Sequence, residues 1–77
     1  MRYFFHIRNG DRLERDRDGT DFSTIEETVS DAVKAAREIL AEMVLNGKVI
    51  DGQRFEVTTE DGVVLKEVPF KNAMLLE

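Results

Sequence analysis

His6 is the side chain best suited to acid–base chemistry in this sequence of 77 residues, because the chain has a single histidine and histidine titrates near neutral pH. A general base also needs a partner and a pocket, and the sequence places no acid beside His6. One histidine in a chain without cysteine also makes a poor transition-metal site. We therefore expect His6 to be neither a catalytic residue nor a metal ligand.

The serines and glycines do not form the motifs of nucleophilic or phosphate chemistry. A serine nucleophile on a tight elbow needs flanking glycines, which neither Ser23 nor Ser30 has. The glycines stand singly at expected turns, so no glycine-rich loop could hold a phosphate group. We expect a protein that is not an enzyme, with no catalytic residue and no cofactor.

Residues 14–19 alternate acids with arginines and end in glycine, which imitates the start of a calcium-binding EF-hand loop. The first position is Glu14 rather than aspartate, and the twelfth is Ile25 rather than glutamate. Alternating acids on a strand also share one face and do not encircle an ion. We expect a charged strand edge here and no metal.

The composition describes one small globular domain over residues 1–77. The 11 Lys and Arg stand against 16 acidic residues, a net charge of −5, with 42% apolar residues. The absence of cysteine excludes a disulfide framework. The acidic balance argues against phosphate binding as the main role. The apolar run at the start is broken by His6 and ends at Arg8, and no stretch of the chain approaches 18 apolar residues. We therefore expect a cytoplasmic protein with no membrane contact.

Alternating patterns predict strands at residues 3–8 and 12–16. The Asn9-Gly10 pair after the first strand predicts a type I′ turn, in which both residues have positive φ. Residues 18–22 are predicted to form a loop.

One long helix is predicted for residues 24–45. Ser23 is expected to cap it, with Glu26 reaching back as in a capping box, and Asn46-Gly47 is expected to end it. Apolar side chains recur at spacings of three and four along the expected buried stripe: Ile25, Val29, Ala32, Ala36, Ile39 and Met43.

A second hairpin is predicted from residues 54–59 and 63–69, joined by a turn at residues 60–62. Residues 63–65 are all apolar, which suggests a strand buried on both sides. The apolar tail at residues 71–77 follows.

The element order ββαββ predicts an α+β fold, a four-stranded and mainly antiparallel sheet with the long helix on one face. Two strand orders are compatible with it. Pro69 cannot donate to a neighbouring strand, so an edge position for the fourth strand favours the order 2-1-3-4. The apolar character of the first and fourth strands favours 2-1-4-3 with a parallel centre.

The sheet face away from the helix is the candidate binding surface, because a single helix leaves it uncovered. Val64 and Val68 are expected to add apolar area there, and the tail is expected to cover it in the same chain or in a neighbour. The candidate interface residues are Phe4, His6, Met74, Leu75 and Leu76. We expect a protein-binding or self-associating module, either a homodimer or a partner of another protein.

The alternative is a regulatory protein linked to nucleic acid, which would use the arginine-rich and aromatic hairpin at the start of the chain. The candidate contacts are Arg2, Arg8, Arg12 and Arg15. Acidic residues interleaved with these arginines weaken the local field, so this alternative ranks second.

Two sets of short motifs, taken together, resemble a known family. The first set is YFFHIR at residues 3–8, Gly10-Asp11 and Asp18-Gly19-Thr20. The second set is RFEV at residues 54–57, Asp61-Gly62, Val64-Leu65 and Val68-Pro69-Phe70. The chain resembles, over nearly its whole length, a family of small bacterial proteins, common in rhizobia-like alphaproteobacteria, that is classed as a domain of unknown function. The resemblance implies a compact cytoplasmic domain and brings no assigned activity, cofactor or catalytic residue.

Overall fold

A computed structural model of the protein describes residues 1–74. Its elements in chain order are β1 (Arg2–Asn9), β2 (Arg12–Glu14), β3 (Thr20–Asp21), α1 (Ile25–Leu45), β4 (Arg54–Thr58), β5 (Val64–Pro69) and a 3₁₀ helix (Phe70–Met74). The predicted α+β class is confirmed, but the sheet has five strands instead of four. In this part of the chain no helix is both long enough and apolar enough to cross a membrane.

The strands form an antiparallel sheet in the order β2-β1-β4-β5. This corresponds to the order 2-1-3-4 of the predicted strands, so the alternative with a parallel centre is wrong. β3 pairs with the start of β1, and there the N–H of Phe22 donates to the carbonyl of Met1 at 3.0 Å. Residues 18–22 were predicted as a loop. They supply a strand because β2 covers only the far end of β1 and leaves its first residues unpaired.

The first hairpin turns one residue later than predicted. Asn9 pairs with Arg12, so the loop is Gly10-Asp11. Gly10 has a φ of +61°, and no residue other than glycine has a positive φ in the described chain. The prediction of a type I′ turn at Asn9-Gly10 is therefore wrong. Glycine at the first loop position matches the type II′ alternative, which needs positive φ only there.

Helix α1 begins with a cap at Thr24, not at Ser23 as predicted. The Thr24 side chain accepts from the backbone N–H of Glu27 at 3.1 Å, and the Glu27 carboxylate accepts from the backbone N–H of Ser23 at 3.2 Å. The capping box was therefore predicted one residue too early, because the sequence has two adjacent cap residues, Ser23 and Thr24, and two adjacent glutamates three positions later. At the other end Gly47 has a φ of +68°, and the N–H of Lys48 donates to the carbonyl of Met43, as expected for a glycine-terminated helix.

The core lies between α1 and one face of the sheet. Ala32 and Ala36 of the helix and Val57 of β4 are completely buried. The short alanine side chains let the helix backbone approach the sheet closely, and aromatic rings fill the remaining volume. Phe55 and Phe70 pack edge to face with centroids 5.0 Å apart.

Strand β5 is an edge strand, and the prediction that residues 63–65 are buried on both sides is wrong. Val63, Val64 and Leu65 are 56%, 46% and 44% exposed. The register of β5 against β4 shifts beside Thr58, so Leu65 is an extra residue in a bulge. Val68 was expected on the uncovered face, but it pairs with Phe55 and belongs to the core.

Candidate functional site

His6 is held by two contacts on the sheet face away from the helix. Its Nδ1 accepts from the backbone N–H of Asp16 at 3.0 Å, and its Nε2 lies 3.3 Å from the hydroxyl of Thr58. Because an accepting Nδ1 carries no proton, the neutral ring has its hydrogen on Nε2, directed at Thr58. Both ring nitrogens therefore have a partner within the protein.

Asp16 anchors the loop between β2 and β3 to the sheet. Its carboxylate accepts from the backbone N–H groups of Phe5 at 3.1 Å and of Asp18 and Gly19 at 3.2 Å each. Burial acts to raise the pKa of Asp16, but the hydrogen bonds from Phe5, Gly19 and Asp18 outweigh burial and hold this pKa below its usual value of 3.8. The carboxylate therefore stabilises the loop while it is ionised.

The anchored loop covers part of the face that was expected to be bare. Phe4 and His6 stack with centroids 6.2 Å apart. Gly19 lies so close that a Cβ there would stand 2.8 Å from the ring of Phe4. Below the loop Thr58 is 2% exposed. The expectation of an uncovered face is wrong for this half of the sheet, because a hydrogen-bonded loop without regular structure occupies it.

An alternating row of charges crosses the rest of this face. Glu56, only 8% exposed, accepts from Nε of Arg8 at 3.0 Å and lies 3.8 Å from a terminal nitrogen of Arg54. Nε of Arg54 lies 3.3 Å from the carboxylate of Glu67. The row neutralises a buried carboxylate and joins β1, β4 and β5. It has a structural role and leaves little net charge for a ligand.

The predicted interface residues are only partly brought together. Phe4 and His6 are neighbours and half-buried, and they line an open cleft of about 410 Å³ with Arg15 and Arg17. Met74 belongs to the 3₁₀ helix, which packs on α1 on the opposite side of the sheet. Leu75 and Leu76 lie outside the described residues, so their part in an interface stays a prediction.

The four arginines of the nucleic-acid alternative do not form one surface. Arg8 is paired with Glu56, and Arg2 donates to the Asp18 carbonyl and lies 3.7 Å from the carboxylate of Asp21. Arg12 lines a small cavity with Leu13 and Glu14 on β2. Of these four arginines, Arg15 is the one that lines the cleft of Phe4 and His6.

Among residues 1–74 no strand pairs with the outer edge of β5, and this free edge is the feature that sequence reasoning missed as a site. The direction in which each backbone group of β5 points follows from Phe70, whose N–H donates to the carbonyl of Gln53 at 3.0 Å. Antiparallel pairs alternate between bonded and non-bonded, so Lys66 bonds to β4 while Glu67 and Pro69 direct their backbone groups outward. Pro69 has no N–H, which leaves Glu67 as the regular outward donor and acceptor. The signal in the sequence was Pro69 beside an apolar run, which indicates an exposed edge as readily as a buried strand.

Comparison with known proteins identifies a family without assigning a role. The family model described as Domain of unknown function (DUF6894) matches residues 2–71, so the chain belongs to this family. This confirms the part of the resemblance that pointed to a domain of unknown function. The search of curated proteins found no match, and neither did the search of solved structures.

Proposed function

We propose that this member of the DUF6894 family is a non-enzymatic protein-binding module, which pairs the free edge of β5 with a strand of another protein or of a second copy. The observation that carries this proposal is the exposure of Val64 and Leu65 on an edge strand whose Glu67 directs its backbone N–H and carbonyl away from β4. Exposed apolar edge strands are rare in monomeric proteins because they associate with other chains. Main-chain hydrogen bonds supply the affinity in such strand addition.

The contrast between the two edges of the sheet supports this proposal. The outer edge of β1 is occupied along its length, by β2, by β3 and by the carboxylate of Asp16 between them. β2 itself has three residues, and charged side chains flank its single leucine, which is how natural sheets protect an edge. β5 has six residues and an apolar start. Lys66, Glu67 and Pro69 protect the later part of β5 in this way, which leaves its apolar start less protected than β2.

The test replaces the outward donor of β5. Glu67→Pro removes the N–H of Glu67 without disturbing the bonds to β4, and Glu67→Thr is the matched control that keeps the N–H and also loses the ion pair with Arg54. We expect the native protein to form a dimer in sedimentation, or to co-purify with a stoichiometric protein companion. Glu67→Pro should abolish that association and Glu67→Thr should keep it.

Two results would contradict the proposal. Association that survives Glu67→Pro but is lost in Phe4→Ser would move the interface to the cleft of Phe4 and His6, which was the surface expected from the sequence. A native protein that is monomeric and companionless would overturn the binding function itself. A circular dichroism spectrum unchanged by each substitution is the required control for folding.

A second candidate, binding of single-stranded nucleic acid, is favoured by one observation. The stacked rings of Phe4 and His6 border a cleft with Arg15 and Arg17, and aromatic platforms beside arginines bind unpaired bases. Titration with a short labelled oligonucleotide at low and raised salt tests it. Binding that weakens steeply with salt and is lost in Arg15→Ala would favour this candidate. No binding at low salt would remove it.

A further inference from the structure

We infer that the edge of β5 and the neighbouring groove of α1 accept an extended peptide of another protein, with an acidic side chain flanked at alternate positions by apolar ones. This inference rests on the proposed function and specifies its partner. Three features carry it: the outward backbone groups of Glu67, an apolar groove on the same side as the free edge, and the charge of Lys66, which pairs with no carboxylate of residues 1–74.

The groove runs between the first turns of α1 and β5. It has a volume of about 420 Å³ and is lined mainly by apolar surface of Ile25 and Val29, with Glu26, Ser30 and Lys66 around them. Its lining includes Lys66 of β5 but no residue of β1. The groove therefore opens beside β5, along the free edge of the sheet. A strand added outside β5 would direct every second side chain toward this groove.

Lys66 supplies the positive charge of that side, across the groove from the first turn of α1 that carries Glu26. It pairs with Val57, whose side chain lies in the core between sheet and helix, so Lys66 also faces the helix side. It is exposed and lies within ion-pair distance of no carboxylate among residues 1–74. A directly opposite acidic side chain on an added strand would pair with it. The positions two residues before and after that acid would lie over the apolar groove.

A second copy of this chain fits the edge less well than such a peptide. Two β5 strands joined by a two-fold axis perpendicular to the sheet pair antiparallel, and the residue at the axis meets its own copy. An axis at Lys66 or at Glu67 therefore opposes like charges, which destabilises the pair. An axis at Leu65 falls on the bulge, where the ladder is irregular. At these three registers, which centre the contact on the middle of β5, another protein is the better partner.

The probe is a synthetic peptide with the central sequence Val-Thr-Glu-Thr-Val, in which the two valines and the glutamate share one face of a strand. Its residue order is the same in both directions, so it presents the same side chains in parallel and antiparallel pairing. The matched control peptide has lysine in place of glutamate. Binding is followed by two-dimensional ¹H–¹⁵N spectra of the whole labelled chain.

We expect the glutamate peptide to shift the amide resonances of Leu65 and Glu67 and to bind about two- to fivefold more tightly than the lysine peptide, as for an exposed ion pair. Lys66→Glu should reverse this preference. Val29→Thr should weaken binding of both peptides by a factor of about three or more, because it removes apolar contact in the groove. Val49→Thr, at an exposed site outside the groove, is the matched control and should leave binding unchanged.

The outcomes separate this inference from the proposed function. Shifts at Leu65 and Glu67 with equal affinity for both peptides and no effect of Lys66→Glu would overturn the inference and leave strand pairing intact. The absence of any shift along β5 would also overturn it, while the dimer or companion of the native protein independently decides the proposed function. A preference that reverses with Lys66→Glu supports both.

Discussion

Asp16 lies in a segment without regular structure, yet its side chain and backbone join the loop between β2 and β3 to the sheet face away from the helix. Its carboxylate satisfies an N–H of β1 that no strand covers, and its own backbone N–H occupies Nδ1 of His6. Because these bonds run in both directions, the loop is bound to β1 by side chain and by main chain. Loss of the carboxylate should therefore loosen the loop and expose Phe4.

The first prediction concerns the stability that this carboxylate provides. Asp16→Ala should lower the free energy of unfolding by about 1–2 kcal/mol, because it leaves the N–H of Phe5 and two N–H groups of the loop without their acceptor. Asp18→Ala is the matched control, since the side chain of Asp18 is exposed and it is the backbone N–H that bonds to Asp16. It should cost under about 0.5 kcal/mol. Urea unfolding of both variants measures the difference, and equal costs would contradict the anchoring role.

The second prediction is the pH dependence of the same contribution. The pKa of Asp16 is lowered in the folded chain from its usual 3.8, so the unfolded chain takes up the proton first as the pH falls. The stabilisation by Asp16 is therefore fully present well above pH 3.8 and is lost as the pH falls from there through the lowered folded value. The stability gap between the native protein and Asp16→Ala should be constant near neutral pH and shrink below about pH 4. A gap that persists unchanged in acid would contradict the assignment.

At the scale of elements, the start of α1 shows how adjacent residues compete for one role. Ser23 and Thr24 are both good caps, and Glu26 and Glu27 both stand three residues further on. Phe22 decides between them, because its backbone is tied to Met1 and its ring stacks on Phe5 at 6.1 Å. These contacts with β1 fix where the chain can turn into the helix.

The third prediction distinguishes the two caps. Thr24→Ala should destabilise the protein by about 1 kcal/mol, because the N–H of Glu27 loses its acceptor. Ser23→Ala should change the stability by less than about 0.5 kcal/mol, since only the backbone N–H of Ser23 bonds to Glu27. Thermal unfolding of the two variants provides the comparison. The reverse ranking would restore the cap predicted from the sequence.

The two hairpins were predictable as elements, and their details were not. Alternation and turn residues indicated β1, β2, β4 and β5, and the 3.6-residue period gave α1 to within one residue at its start. The short strand β3 depends on which backbone groups of β1 remain unpaired. That is a property of the assembled sheet, because the paired residues of β1 and β3 are separated by 17 or more positions in the chain.

For the whole molecule, the decisive property is that one helix covers one face of the sheet. Val57 and Val68 lie under α1 and are buried, while no element within residues 1–74 covers Val64 and Leu65. On the opposite side the loop around Asp16 and the charge row from Arg8 to Glu67 replace a second layer. Hydrophobic stabilisation is therefore concentrated on the helix side.

The fourth prediction follows from this one-sided core. Val68→Ala should cost about 2 kcal/mol of unfolding free energy, because it opens space in a packed core. Val64→Ala, the same change in the same strand, should cost under about 1 kcal/mol, since Val64 is nearly half exposed in the isolated chain. Urea unfolding of dilute protein measures both. Equal losses would mean that another chain covers β5 under those conditions, which sedimentation of the same samples would detect.

The sequence by itself determined the α+β class, the ββαββ framework, the extent of the long helix and the antiparallel hairpins. These depend on periodicity and turn residues within short stretches of chain, so they can be detected without knowledge of distant partners. Only the tertiary structure decided that the loop around Asp16 covers His6, that Glu56 is buried between arginines, and that Val64 and Leu65 are exposed on the edge strand. Burial and pairing at those positions depend on what lies across the sheet, and an apolar run has the same pattern whether another element covers it or not.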